Sequence, residues 1–246
     1  MANIFITGSA DGLGQLAAID LVARGHEVVL HARNEHRGKE AIAKVPGAAG
    51  IVTADLASIS ETKKLAEKLN ALQQFDAVIH NAAVYSGSGK ELLGINTLAP
   101  YILTSLMTRP KRLIYLSSDM HEGGTFRPAS FTDAAKGVTY SDTKLHMVML
   151  CKAVARRWPE VFANALSPGW VPTRMGGPGA TGDLKKGFET QVWLAVSEEA
   201  EARVSGKYFY HKQQVPCNQT ANDTQMQDQL LELCERLTGV TFPLWE

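Results

Sequence analysis

Short apolar runs alternate with amphipathic segments along almost the whole chain, and few folds accept that order. Residues 3–7 (NIFIT) read as a buried strand. Strand-like runs recur at 27–31, 50–53, 77–80, 112–117, 162–167 and 207–210. Helical spacing fills the intervals at 15–24, 35–44, 58–72, 92–108, 140–157 and 183–196, and a last helix covers 225–238. Strands that alternate with helices build a parallel sheet with helices on both faces. The expected fold is an α/β, doubly wound domain with a seven-stranded, mostly parallel sheet. Ser58 followed by Glu61 has the pattern of a capping box. The 246 residues, 45% of them hydrophobic, suffice for one core and show no repeat or linker, so 1–246 reads as a single domain.

The charge balance narrows the partners. Lys and Arg number 25 and so do Asp and Glu, which leaves a formal charge of zero. Nucleic-acid and anionic-membrane binders carry a basic excess, so a small molecule is the expected partner. No apolar run reaches the length of a membrane span, and the chain enters its first strand directly after Ala2 without a signal sequence. Cys151, Cys217 and Cys234 are odd in number and dispersed, which fits a reducing compartment and makes the cytoplasm the expected location. The seven histidines lack metal-ligand spacing, so no metal is expected.

The first strand runs into a glycine turn, Gly8-Ser9-Ala10-Asp11-Gly12-Leu13-Gly14, that opens the first helix. Such a turn lets a pyrophosphate approach the backbone, with the helix N-terminus supplying N–H donors and positive dipole. The spacing, Thr7-Gly8-x3-Gly12-x-Gly14, resembles the short-chain dehydrogenase/reductase family. Further motifs follow in the family's order: Asp55-Leu56, Asn81-Ala82-Ala83, Asn96, Ser117-Ser118, Tyr140-x3-Lys144, and Pro168-Gly169-x-Val171-x-Thr173. The third position of Asn81-Ala82-Ala83 departs from the family's glycine by one methyl. In the tail, Ser205-Gly206-Lys207-Tyr208-Phe209 and Cys234-Glu235-Arg236-Leu237-Thr238-Gly239 resemble the retinol-dehydrogenase-like branch.

The resemblance implies a Rossmann-like fold and a nicotinamide cofactor held by the glycine turn and the later motif residues. It implies Asn96, Ser118, Tyr140 and Lys144 as catalytic residues. Ser118 would polarise the substrate oxygen, Lys144 would bond the nicotinamide ribose, and Asn96 would hold a water linking Lys144 to solvent. The residues support the acid/base part independently. Tyr140 and Lys144 stand at i and i+4 on one helix face. A neighbouring ammonium is expected to lower the phenol's pKa from about 10, so that Tyr140 gives a proton to a carbonyl or takes one from an alcohol. Ser117 is expected to turn its hydroxyl to backbone, and His80 and His121 are expected to be structural.

The second strand ends His31-Ala32-Arg33-Asn34, so a cation is the first charge at the position that reads the ribose 2′ group. NADP(H) is expected over NAD(H), with Arg37 assisting, although Asp11 stands where NADP-preferring relatives often carry a base. The resemblance also implies a homodimer or homotetramer. The interval from Asn96 to Ser117 is only 21 residues, short for the branch, which argues against the usual helix pairing. The Gly- and Pro-rich loop 174–183 argues for a small or absent lid, with Trp170 and Met175 as pocket walls. The overall expectation is an NAD(P)(H)-dependent oxidoreductase interconverting a carbonyl and an alcohol. Two alternatives compete: a cofactor-binding sensor, disfavoured because Asn96, Ser118, Tyr140 and Lys144 are all kept, and a sugar-nucleotide epimerase or dehydratase, disfavoured by the short C-terminal region.

Overall fold

In the computed structural model, which describes residues 1–132 and 134–243, β1 (Asn3–Ile6) lies at the centre of the sheet, with Ile4, Phe5 and Ile6 fully buried. It pairs in parallel with β2 (Glu27–Ala32) on one side and β4 (Ala77–His80) on the other. β3 (Gly50–Thr53) closes the β2 edge. Beyond β4 follow β5 (Arg112–Leu116), β6 (Phe162–Ser167) and β7 (Tyr208–Tyr210), all parallel. The strand order is β3-β2-β1-β4-β5-β6-β7-β8.

The eighth strand corrects the expected seven. β8 (Gln213–Gln214) pairs antiparallel with β7 through a two-residue turn at His211 and Lys212, whose φ values are +47° and +65°. Two positive φ values make the primed turn that suits a hairpin's twist. Two exposed glutamines carry no apolar alternation, so periodicity does not reveal this strand.

Helices cover both faces. α1 (Gly12–Ala23), α2 (Glu35–Lys44) and α7 (Leu184–Val196) pack Ala17, Leu21, Ala41, Val192 and Leu194 against one face. On the other face lie α3 (Ile59–Leu72), α4 (Gly89–Leu93), α5 (Ala99–Leu106), α6 (Tyr140–Arg157) and α8 (Thr224–Thr238). The single helix expected over 92–108 is instead α4 and α5 joined by a π turn, Gly94–Leu98. Ser58 does cap α3 by accepting from the Glu61 N–H, but the Glu61 carboxylate accepts from the Asp55 N–H instead of closing the box. Thr139 and Asp142 form a full capping box at the start of α6.

α8 and the segment after it cover the outer side of α5 and α6. The Tyr101 hydroxyl donates to the Val240 carbonyl at 2.7 Å, and Trp158 Nε1 donates to the Pro243 carbonyl at 3.1 Å. Phe242 stacks on Trp158 with centroids 4.9 Å apart. Residues 142–151 of α6 are consequently all buried. The three cysteines are buried and unbridged, and no described helix is long and apolar enough to cross a membrane.

Three of the buried histidines lose their ready protonation in this interior. Burial lowers the pKa of His31 to about 4, of His80 to about 3 and of His146 to about 4. An unfolded histidine titrates near 6.5. Between these values the unfolded chain binds more protons than the folded one, so stability is full above about pH 6.5 and falls as pH drops toward 4. The urea midpoint is expected to fall markedly between about pH 7 and pH 5, before carboxylates contribute; equal midpoints at both values would contradict neutral burial of these rings.

Candidate active site

β1 and β4 are neighbours, yet the chain leaves them for helices on opposite faces of the sheet. A crevice opens at such a switch point, at the carboxyl ends of the strands. The glycine turn crosses it in tight contact with the exit of β4. Asn81 Nδ2 donates to the carbonyls of Thr7 and Gly8, and the Thr7 hydroxyl accepts from the Ala82 N–H at 3.0 Å. A Cβ on Gly8 would stand 2.8 Å from Ala82 Cα, and one on Gly14 would stand 2.4 Å from Asn81 Nδ2. These two glycines permit the close packing. Gly12, at φ +57°, instead faces the cleft, with the Thr173 side chain nearest at 3.9 Å from a built Cβ. No side chain caps α1 at Asp11, so its first N–H groups stay available to an anion.

The cleft has a volume of about 590 Å³ and runs from Arg33 to Tyr140. Of the residues expected to hold the cofactor, Gly8, Ala10, Asp11, Gly12, Leu13, Arg33, Asp55, Leu56, Asn81, Ala82, Ala83, Tyr140, Lys144, Pro168 and Thr173 line it. Four expected contacts fall outside its lining. Ser9 is fully buried, its hydroxyl donating to the Ile6 carbonyl and accepting from the His31 N–H. Gly14 packs on Asn81, Gly169 lies beneath the Tyr210 ring, and Val171 is buried.

Of the expected catalytic residues, Tyr140 and Lys144 line the inner end of the cleft, while Ser118 and Asn96 fall outside its lining. Lys144 is buried and donates to the Leu116 carbonyl at 2.8 Å. Its Nζ lies 5.4 Å from the centre of the Tyr140 ring. The Ser118 hydroxyl accepts from the Met120 N–H and lies close enough to the Tyr140 phenol to favour its ionised form. Ser117 donates to the Lys144 carbonyl, as expected of a structural serine. His121 is tied through both ring nitrogens to backbone at Ser118 and Asn218. His80 is structural too, bonded to the Thr104 hydroxyl and stacked on Tyr115.

Burial reverses the expected electrostatics. It pushes Tyr140 up to about 12, with the nearby Ser118 hydroxyl opposing, and it pulls Lys144 down to about 7. Removing an ammonium from water costs more than its distant phenol partner returns, so Lys144 does not depress Tyr140 in the free protein. The phenol therefore rests protonated. Asn96 also differs from its expected place. Its two amide donors go to the Val84 carbonyl and the Thr143 hydroxyl, and its oxygen accepts from the Val84 N–H. The side chain thus fastens the loop after β4 to the residue preceding Lys144, from within the π turn.

Several functional positions carry no motif signal. His31 Nδ1 accepts from the Gly8 N–H at 3.0 Å while Nε2 donates to the Ala54 carbonyl at 3.1 Å, which pins the glycine turn to β2 and β3. Asp142 collects the Thr125 and Thr139 N–H groups and the Arg127 guanidinium, and so fixes the start of the Tyr140 helix. Tyr85 packs edge-on to Tyr140 with centroids 4.9 Å apart. Arg37 bridges Asp11 at 2.5 Å and Glu40 at 2.9 Å. The loop 174–182 holds no helix: Trp170 Nε1 donates to the Gly176 carbonyl and Gly182 N–H to the Trp170 carbonyl, folding it into a compact turn.

A family model described as short chain dehydrogenase matches residues 2–107. An uncharacterized oxidoreductase of Emericella nidulans is 43% identical, with 99% of each chain covered. The short-chain dehydrogenase chyC of Penicillium rubens is 39% identical over 99% of this chain and all of that protein. Human retinol dehydrogenase 14 is 26% identical over 97% of this chain and 86% of its own. Among solved structures, an uncharacterized protein from Mycobacterium paratuberculosis superposes with a TM-score of 0.84 at 23% identity, covering 99% of this chain and 96% of that one. A short chain dehydrogenase from Shigella flexneri, complexed with NADP, superposes with a TM-score of 0.68 at 21% identity over 86% and 97% of the two chains. With a crevice built at the switch point, the ordered motifs converging on it and full-length relatives near 40% identity, the chain belongs to the short-chain dehydrogenase/reductase family of oxidoreductases.

Proposed function

We propose that the protein interconverts a carbonyl and an alcohol with NADP(H), using Tyr140 as the proton donor and acceptor. The observation that carries this reading is the Tyr140–Lys144 pair at the inner end of the cleft, with the buried Lys144 Nζ 5.4 Å from the centre of the half-buried phenol ring. The cleft suits a dinucleotide. Gly12 leaves room over the α1 N-terminus for a diphosphate, and Leu116 takes only one of the three donors on Lys144 Nζ, leaving two for ribose hydroxyls. A bound nicotinamide supplies or accepts the hydride.

The rest falls to the protein. Ser118 orients the substrate oxygen against the phenol. Tyr140, held protonated by burial, passes its proton to that oxygen in reduction and recovers it in oxidation. Asn96 acts as a positioning residue: it sets the loop after β4 and Thr143 so that Lys144 and Tyr140 keep their relation.

The cofactor's second phosphate has matching cations. Arg33 lines the cleft and, among the described residues, has no ion-pair partner. Arg37 stands at the same wall between Asp11 and Glu40, where it offsets part of the repulsion that Asp11 alone would exert on a 2′-phosphate. NADP bound in the Shigella relative is consistent with this preference. The outer side of α5 and α6, a pairing face in many relatives, is already covered by α8 and residues 239–243. This cover supports a protein that does not pair through that face.

Arg33→Ala is expected to weaken NADPH about 30-fold and NADH less than threefold, the scale of one charge-assisted contact. Titration followed by nicotinamide fluorescence reads both, and equal losses would refute the 2′-phosphate assignment. Tyr140→Phe is expected to lower kcat about a thousandfold with NADPH affinity retained, as the loss of a general acid requires. Retained turnover would remove Tyr140 from its role.

A further inference from the structure

The large apolar side chains that stay exposed are not scattered evenly. Five of them, Tyr85, Met120, Trp170, Met175 and Tyr210, lie where the chain leaves β4, β5, β6 and β7, at the carboxyl edge of the sheet. The other exposed ones within described elements sit singly on helices. Single exposed apolar residues are ordinary, whereas a cluster at a site is not.

Two of the five reach the site itself, Tyr85 against Tyr140 and Met175 in the cleft wall. Tyr85 meets the Tyr140 ring at 4.9 Å and is 53% exposed. The Met120 N–H bonds Ser118, and Met175 lines the cofactor cleft. Tyr210 approaches the Pro168-Gly169 turn, within 3.4 Å of a Cβ built on Gly169. Trp170 is 61% exposed, yet its indole N–H is already satisfied by the Gly176 carbonyl. Its ring has no polar contact left to seek and is held in place by its own loop. The loop 174–182 is spent on that turn and places no helix over the site.

We propose, resting on the reading above, that the substrate is an uncharged aromatic ketone or the corresponding benzylic alcohol. Its ring lies among Tyr85, Trp170 and Met175 with the carbonyl on Tyr140 and Ser118. Aromatic rings gain from edge-on and offset contacts with one another beyond the area that they bury, and thioethers add to this. The substrate ring itself replaces the missing lid and dries the reacting carbonyl. In reduction the carbonyl carbon gains a hydride from the reduced nicotinamide, which is thereby oxidised, and the carbonyl oxygen gains the Tyr140 proton.

The test compares ketones of equal carbon skeleton with NADPH: acetophenone against cyclohexyl methyl ketone, and 1-tetralone against 1-decalone. Conjugation makes an aryl ketone the weaker electrophile, so intrinsic reactivity favours the saturated partner. The proposal expects kcat/KM at least tenfold higher for the aryl member, and Trp170→Leu and Tyr85→Leu to bring that ratio close to one, mainly through KM, with NADPH affinity unchanged. A saturated ketone reduced as well as its aryl partner, or an aryl preference that survives both substitutions, would overturn it. So would NADPH binding without turnover of any of the four ketones, an outcome that leaves the carbonyl-reductase reading standing. Absence of any nicotinamide binding would remove that reading itself. Light scattering covers the remaining occupant: a dimer that Trp170→Asp dissociates would show that a second copy covers these side chains, and would overturn the substrate assignment.

Discussion

Everything at the site depends on how closely the glycine turn lies on the end of β4. Asn81 ties the carbonyls of Thr7 and Gly8, and Thr7 in return holds the Ala82 N–H. Methyl groups at Gly8 or Gly14 would force the two segments apart, since each would stand under 3 Å from its neighbour. That contact fixes where α1 begins and therefore where its free N–H groups point. It also fixes the floor of the cleft. His31 adds the third attachment, from β2, and its neutral tautomer is dictated by its partners: one ring nitrogen accepts and the other donates.

The inner end of the cleft is governed by desolvation. A lysine and a tyrosine at i and i+4 suggest an ammonium that tunes a phenol. With Lys144 buried and Tyr140 partly so, each moves toward its neutral form, Tyr140 to about 12 and Lys144 to about 7. The free protein is thus set with a protonated acid, which suits proton delivery to a carbonyl. The groups around the pair are there to hold it. Ser117 takes the Lys144 carbonyl, Asp142 caps the helix, and Asn96 binds the adjacent Thr143 while closing a π turn. A π turn inside a helix often marks a functional site, and here it aims Asn96 at the loop after β4.

Openness is the other consequence of this particular chain. The segment after Thr173 is short in apolar periodicity and rich in glycine; Arg174 and Met175 join the cleft wall, and the rest folds back on Trp170 without a helix over the site. Aromatic and thioether side chains are left facing solvent at the carboxyl edge of the sheet, Tyr85 among them against Tyr140. Meanwhile the C-terminal residues that might have been idle are spent on the outer side of α5 and α6, where Tyr101, Trp158 and Phe242 seal the surface.

The sequence by itself determined the parallel doubly wound core and the cleft. Buried parallel strands need continuous apolar runs, and the family's glycines, Asn81, Tyr140 and Lys144 carry local backbone or spacing requirements that are visible as motifs. Tertiary structure alone decided the rest. The β8 hairpin rests on two positive φ values and polar side chains, with no periodicity to betray it. The split of the helix at Asn96 and the diversion of Glu61 to Asp55 depend on partners far away or newly brought near. The Tyr140 and Lys144 protonation states reflect how much water the fold excludes, and burial is a property of the whole packed core rather than of any neighbouring residues in the chain.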